Sequence, residues 1–493
     1  ASALRSKLSL MPYPDSDGAV LPHLLAANLK ESNMLSALRQ TTWNTQGEFS
    51  MVVMRKGEAA LYAVNHGAPL YAAMNTSGTY IASELSAFDA EMQKVYLIAP
   101  GEIVQLHADK INIYNQKLKK IKKTPCTVAL RPDTLQEQSD RYDALQTMPA
   151  VMENLIRLYT DGEKTSFPKL KIRPSGLHRI YLAGCGTSHN LARAGAYNFE
   201  AICDIPAFAF SAGEYCCSNA VCDKYTLFVA LSASGETAET LSAAKAAEKY
   251  GAKILIVTSN PDSRLARMYK NVLILPASKA GGLSAAEMFD CGYVLLCLLA
   301  VHWGVKQKTI TPLFGRMAVK MASSLPDKAR LILKSETEIH TLTKQLTSFQ
   351  KVIIIGQNVD YAAAREGALQ ISDAAGHLIP AVPASELRHT LQCAIDRNTV
   401  ILALISGKEL AEKTCAALTQ AKIRGATTIV CTGENLLPFI KGNDVVFAFP
   451  DSIPLLGPVC HGVVLQLLSR QIQQKNREEN ADTTGNTLRY FAV

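Results

Sequence analysis

Residues Tyr225 to Pro261 read YTLFVALSASGETAETLSAAKAAEKYGAKILIVTSNP, and this stretch decides how the rest of the chain is parsed. An apolar run, Thr226–Leu231, ends in the hydroxyl-rich loop Ser232-Ala-Ser-Gly-Glu-Thr237. A helical pattern then continues to Tyr250, Gly251 stops it, and Lys253–Thr258 is a second apolar run. Strand, loop, helix, strand is a βαβ unit whose loop lies at the carboxyl end of a strand. There the first N–H groups of a helix lack partners and the helix dipole favours an anion. Three side-chain hydroxyls around one turn can serve a phosphate without any lysine. Ordinary N-capping is the competing account, since Ser or Thr before a helix with Glu in its first turn is common capping chemistry.

The bulk composition is that of a globular protein. The chain has 493 residues, 48% hydrophobic and 19% charged, enough for three domains with large cores. A net charge of +8 is mild at this length. Its one basic cluster, Lys117–Lys123, has no interleaved aromatics, which argues for a solvated linker and against nucleic acid. Twelve cysteines show no zinc spacing, and several sit in apolar runs, which fits a reducing, cytoplasmic setting. No signal-like start and no spanning apolar run is read, so no membrane association is expected. No cofactor or metal is required by any motif.

Along the chain, residues 1–115 read as mainly β, with one early helix over Asp17–Arg39 and six short strands. Nothing covers a second layer, and the region looks like part of a domain. Residues 116–146 are polar and basic, a linker by composition. Thr147–Tyr159 is an amphipathic helix with Pro149 in its first turn. It leads to the strand Leu177–Ala183 and the loop Gly184-Cys-Gly-Thr-Ser-His189. Gly184 and Gly186 open like a dinucleotide fingerprint, but His189 holds the third glycine position and no acidic residue ends the next strand. The loop instead suits a small phosphate or sugar hydroxyls.

The unit then repeats. Lys351–Gly356 and its helix parallel Arg179–Ala201, while Thr399–Cys431 parallels Thr226–Thr258. This duplication of an α/β layer domain is more specific than either loop alone. In the second copy Ser406-Gly-Lys-Glu409 keeps one hydroxyl where the first has three, so only the first copy is expected to hold an anion.

Gly184-Cys-Gly-Thr-Ser188, Leu231-Ser-Ala-Ser-Gly-Glu-Thr-Ala-Glu-Thr240, Arg365-Glu-Gly-Ala-Leu369, Ser385-Glu-Leu-Arg-His389 and Asn486-Thr-Leu-Arg489 occur in this order. Together they resemble the isomerase half of the glucosamine-6-phosphate synthase family, a pair of sugar isomerase (SIS) domains. Ser16-Asp17, Gly67–Leu70, Tyr80–Glu84 and Pro100–Ile103 resemble, more weakly, the later part of that family's glutaminase domain. The family's nucleophile is an N-terminal cysteine, and Ala1 cannot serve; the resemblance implies either that the chain was cut or that the glutaminase has decayed.

The resemblance implies an α/β fold of two tandem doubly wound SIS (flavodoxin-like) domains with parallel sheets. A partial α+β, glutaminase-like (Ntn-hydrolase-like) domain precedes them. The expected boundaries are 1–115, a linker 116–146, SIS domains 147–310 and 330–475, and a tail 476–493 closing on the site. It implies that Thr187, Ser188, Ser232, Ser234 and Thr237 contact the phosphate of a hexose phosphate. His389 matches the histidine associated with ring opening. Asp373 stands where the family has the glutamate that moves a proton between C1 and C2, and Glu386 matches a glutamate beside His389. Family members pair SIS domains across a dimer, which implies a homodimer or higher homo-oligomer.

The departures cluster at the reacting end. Ala233 replaces a glutamine, Gln370 a lysine, and Arg489 a C-terminal lysine; Arg stays charged and cannot form an imine. In register Ala285 replaces a serine and Glu287 a lysine, and only a slip brings Ser284 into the site. Three functions fit: the family amination and isomerisation, an amino-sugar-phosphate deaminase or deglycase, and a non-catalytic sugar-phosphate regulator. Glutamine hydrolysis by this chain is not expected.

Overall fold

The structure is a computed structural model that describes residues 20–47, 49–67, 70–83, 87–88, 92, 94–127, 140–277 and 283–483. It divides into two compact units, residues 1–135 and 136–493.

In the first unit the early helical stretch forms two helices, α1 (Val20–Leu29) and α2 (Met34–Trp43). The single helix expected over Asp17–Arg39 is broken because Asn33 takes an extended conformation and accepts a bond from the Ser36 N–H at 3.0 Å. Nine strands follow: β1 (Phe49–Met54), β2 (Leu61–His66), β3 (Tyr71–Asn75), β4 (Gly78–Ala82), β5 (Lys94–Leu97), β6 (Ile103–His107), β7 (Lys110–Tyr114), β8 (Lys120–Ile121) and β9 (Cys126–Thr127). They pair antiparallel into two sheets, β1-β2-β6-β7-β8 and β4-β3-β5-β9. Leu25, Ala37 and Leu38 pack the helices on Tyr62 and Val64 of one face. Ala63, Leu70, Ala72, Val104 and Ile113 form the core shared by both sheets. The basic stretch read as linker thus carries two strands of these sheets.

The second unit opens with α3 (Asp140–Tyr159), which starts before Thr147, so that Pro149 lies inside the helix rather than in its first turn. Its missing N–H removes one helical bond there. The first α/β layer then runs β10 (Arg179–Gly184), α4 (Thr187–Cys203), β11 (Ala207–Ser211), α5 (Ala212–Cys217), β12 (Thr226–Leu231), α6 (Ala238–Lys249), β13 (Lys253–Thr258), α7 (Arg264–Met268) and β14 (Val272–Ile274). Helices α8 (Ala285–Gln307), α9 (Pro312–Ser323), α10 (Leu325–Leu333) and α11 (Glu336–Ser348) lead to the second layer. That layer holds β15 (Lys351–Gly356), α12 (Val359–Ala375), β16 (Ala381–Pro383), α13 (Leu387–Thr390), β17 (Thr399–Ile405), α14 (Lys408–Ile423), β18 (Thr427–Gly433), β19 (Val445–Phe449) and α15 (Gly457–Thr483).

Both sheets are wholly parallel and have the same order, β11-β10-β12-β13-β14 and β16-β15-β17-β18-β19. This is the flavodoxin-like order, in which ligands bind at the carboxyl ends of the strands where the winding reverses. Here those points are β10/β12 and β15/β17. The inner faces of the two sheets share one core that runs from Leu145 to Ile472. Separate cores cover the outer faces.

The duplication extends to side-chain packing. A Cβ on Gly195 of α4 would lie 2.6 Å from Leu296 Cδ1 of α8, and one on Gly367 of α12 would lie 2.6 Å from Leu465 Cδ1 of α15. Each glycine holds the ninth position of its helix and lets a partner helix approach closely. Helix α8 is long and apolar enough to cross a membrane, which inspection of apolar runs missed because Glu287 and Asp290 interrupt its first turns. Of its most apolar window, 89% is buried inside the protein, as expected of a core helix.

Candidate functional site

At the first switch point two helices start without side-chain caps. Gly186 precedes α4 and Thr237 precedes α6, and neither offers a side-chain bond to its helix. The Thr237 hydroxyl turns instead to Ser232 Oγ, 3.0 Å away, and the Gly235 N–H donates to that same oxygen at 3.0 Å. Capping therefore does not account for Thr237. Ser232 is buried, while Ser234 is exposed and its hydroxyl accepts from the Glu236 N–H at 3.2 Å. The loop is pinned from behind: Thr258 and Ser259 donate to the Ala233 carbonyl at 3.0 and 2.9 Å. Gly235 has φ +68°, and a Cβ there would lie 2.1 Å from Ser263 Oγ, so only glycine fits. Hydroxyls clustered at helix N-termini in this way suit an oxyanion.

Thr187 and Ser188 begin α4 at the same point, and Ser188 is buried. The Thr187 hydroxyl, however, donates to Glu366 Oε1 of α12 at 2.9 Å. Glu366 is 2% exposed and also accepts from Asn190 Nδ2 at 2.9 Å and Gln370 Nε2 at 2.7 Å. Burial pushes its carboxyl above the usual range, and the three donors pull it back. This carboxylate, quoted above only inside a motif, ties the loop of the first domain to the second.

Gln370 leads to a cavity of about 340 Å³ lined by Leu145 and Met148 of α3, Ser284 to Glu287 at the start of α8, Gln370 and Asp373 of α12, and Gln466, Ser469, Arg470 and Gln473 of α15. Asp373 is exposed to this space and lies two turns beyond Glu366, about 10 Å along the helix. Ser284 lines it as well. Its Oγ accepts from the Glu287 N–H at 3.2 Å, and Glu287 Oε2 accepts from the Ser284 N–H and hydroxyl at 2.9 and 3.0 Å, a capping box. The S-x-x-E spacing was legible in the sequence.

Glu386 and His389 lie elsewhere. Both are exposed, and the Ser385 N–H just before them donates to Gln357, ahead of α12, at 3.2 Å. Gln357 and Asp373 are sixteen positions apart, roughly 24 Å along the helix axis. One chain therefore brings Ser284 and Asp373 together and leaves Glu386 and His389 at the far end of α12. Arg489 lies outside the described residues.

The second switch point repeats the backbone of the first. Gly186 has φ 53° and ψ −124°, and Asn358 has φ 58° and ψ −126°. Asp360 then occupies the helix position of Ser188, and Ser406 that of Ser232. The Asp360 carboxylate takes the Ser406 hydroxyl at 2.5 Å and its N–H at 2.8 Å. An internal carboxylate thus fills the place where the first domain leaves donors for an anion. His461 Nε2 lies 3.1 Å from Ser406 Oγ and 3.6 Å from Asp360. Burial raises Asp360 to about 7 and lowers His461 to about 3, so the histidine is neutral and the close approach is no ion pair. Serine, histidine and aspartate here are buried, and the aspartate binds the serine directly, which is not a nucleophile's arrangement.

The SIS domain family matches residues 175–291 and 345–472. The chain is 25% identical over 463 residues to the isomerizing glutamine–fructose-6-phosphate aminotransferase of Clostridium tetani, spanning 92% of this chain and 76% of that protein. The same enzyme of Gloeobacter violaceus is 26% identical over 466 residues, with 93% and 76% covered. Among solved structures, the C-terminal domain of glucosamine-fructose-6-phosphate aminotransferase from Francisella tularensis matches with a TM-score of 0.63 at 23% identity, covering 69% of this chain and 97% of that one. Glucosamine-6-phosphate deaminase from Thermotoga maritima matches at 0.54 and 18% identity, covering 69% and 95%. At these identities the structural likeness is one of fold. The chain belongs to the SIS-domain family, with two such domains, and is similar over most of its length to the glutamine–fructose-6-phosphate aminotransferases.

Proposed function

We propose that the chain binds a hexose phosphate at the first switch point and carries out isomerisation or amino-group chemistry on it in the cavity beside Asp373. One observation carries this reading: a loop of hydroxyls and uncapped helix starts is joined through Glu366 to a cavity that exposes a carboxylate. Ser188, Ser232, Ser234 and Thr237, with the N-terminus of α6, hold the phosphate. Asp373 takes the proton from C1 of the open-chain ketose, leaving an enediolate; as the O1 proton passes to O2, Asp373 returns its proton to C2 and the aldose forms. Such positioned acid–base groups typically contribute about 10²–10⁴ in rate.

His389 and Glu386 complete the site from a second copy of the chain. The support is their distance from Asp373 within one chain, together with the family's pairing of SIS domains across a dimer. The chain acts without hydrolysing glutamine, as residues 1–125 contain no cysteine to serve as the nucleophile. The eleven cysteines with described side chains are all free, which supports a reducing, cytoplasmic setting.

The test is incubation with fructose 6-phosphate in deuterated water, read by NMR. Deuterium is expected at C1 or C2 and should disappear in Asp373→Asn. Clear binding with no exchange would make the chain a sugar-phosphate binding protein instead.

A further inference from the structure

Where α4 and α12 pack together, two arginines have no counter-charge among the described residues. Arg193 is the seventh residue of α4 and Arg365 the seventh of α12, while His189 and Tyr361 are the third residues of the same helices. The duplication thus sets two like charges around one ring. The guanidinium carbons of Arg193 and Arg365 lie 5.8 and 5.9 Å from the centre of Tyr361, and both side chains are partly buried. Arg365 Nε donates to Asn190 Oδ1 at 3.2 Å, a neutral partner whose amide donates in turn to Glu366 at 2.9 Å. Arg193 makes no hydrogen bond or ion pair among the described residues, and its Nε is buried without an acceptor. Burial, then Arg365 and Arg193, hold His189 below the usual histidine range.

Packing against Tyr361 explains these positions only in part. A ring attracts a cation, but it removes neither the repulsion between two of them nor the cost of a buried N–H without an acceptor. Partly buried charges call for an opposite charge, and guanidinium forks match the oxygens of a phosphate group. We propose that the junction of α4 and α12 binds a phosphate-type oxyanion, a phosphate or diphosphate group, through Arg193 and Arg365. Arg193 lies five residues beyond Ser188, about 7.5 Å along α4. The site is therefore additional to the hexose-phosphate reading and does not rest on it.

The experiment is calorimetric titration of the full chain with pyrophosphate, in the native form and in Gly235→Ala, which removes the loop site. Gly235→Ala should still bind pyrophosphate. In that background Arg193→Gln and Arg365→Gln should each weaken binding about ten- to a hundredfold, the worth of a charge-assisted bond. Arg365→Lys should recover part of the loss, since it restores the charge without the fork. Thermal unfolding separates a ligand site from packing: pyrophosphate should raise the Tm, and the rise should vanish when both arginines are glutamine. Equal Tm losses with and without pyrophosphate, at unchanged affinity, overturn the proposal and leave the arginines as packing on Tyr361. A smaller oligomer in the double variant by sedimentation, again at unchanged affinity, overturns it and refers the pair to an acidic group of a second copy. Should Gly235→Ala not fold, the native chain decides by stoichiometry. It should bind two pyrophosphates and the double variant one, and equal stoichiometry in both refutes the site. Loss of fructose 6-phosphate binding with this site kept would count against the hexose-phosphate reading alone.

Discussion

Serial alanine substitution of four loop hydroxyls, those of Thr187, Ser232, Ser234 and Thr237, should give unequal losses of phosphate binding, and the inequality is the sharp part. A hydroxyl donating to a phosphate oxygen is worth about 1.5–3 kcal/mol, so losing one should weaken binding about ten- to a hundredfold. Ser234→Ala and Thr237→Ala should fall in that range. Ser232→Ala should fall at its upper end, because it also strands the buried Gly235 N–H, which donates to Ser232 Oγ at 3.0 Å. Thr187→Ala should behave differently. Its hydroxyl proton already goes to Glu366 at 2.9 Å, so phosphate affinity should change less than about threefold. The loss should appear instead in stability, since Glu366 forfeits one of its three donors. The assay is calorimetry with fructose 6-phosphate alongside thermal unfolding. A Thr187→Ala loss as large as that of Ser232→Ala, with Ser234→Ala and Thr237→Ala near native, would refute this assignment of donors.

The buried pair Asp360 and His461 predicts a pH effect. Burial raises Asp360 from 3.8 to about 7, so its contribution is full below about pH 4 and is lost as pH rises to about 7. His461 is depressed from 6.5 to about 3, so its contribution is lost as pH falls below 6.5. The two slopes oppose between about pH 4 and 6.5; Asp360→Asn should leave only the histidine's, and its Tm should fall on acidification relative to the native chain, an equal profile counting against the argument. Gly235→Ala should destabilise the loop and abolish phosphate binding, because the new methyl would meet Ser263 Oγ at 2.1 Å; unchanged binding by calorimetry would show that the loop yields. The purified chain should release no glutamate from glutamine in a coupled assay, and measurable release would place a nucleophile outside residues 1–125.

The periodicity of the apolar runs made the βαβ units, their duplication and the first switch point legible, because parallel strands buried on both faces must be continuously apolar. What the pattern could not carry was direction. Thr187 and Thr237 look alike in a string of hydroxyls, yet one turns to Glu366 and the other to Ser232. The Asp360 plug left a trace, an aspartate in the position of Ser188, which only the superposed repeats make meaningful. Helix α8 escaped notice as a single apolar helix because its two carboxyls, Glu287 and Asp290, are buried. Composition counts such groups as polar surface. The break at Asn33 and the position of Pro149 were boundary errors, where local capping and tertiary packing overrode the spacing.

Helix α12 carries three carboxylates whose surroundings separate their work. Asp360, at its start, is 1% exposed and bound twice by Ser406, so it closes the second switch point and anchors the helix. Glu366 is 2% exposed and holds three donors drawn from both domains, which makes it a joint. Glu366, Gln370 and Asp373 then follow at i, i+4 and i+7, one face of one helix. Only the last of these carboxylates is exposed, and only it opens into the cavity. A proton-transferring group must reach its substrate and change charge without dismantling the structure around it. Glu366 is committed to three bonds at the domain joint, and Asp360 to its lock on Ser406. Asp373 carries neither the joint nor the lock. The spacing of α12 thus leaves one exposed carboxylate at the cavity, the group to which the proposed proton transfer falls, while Asp360 fills the second switch point from within.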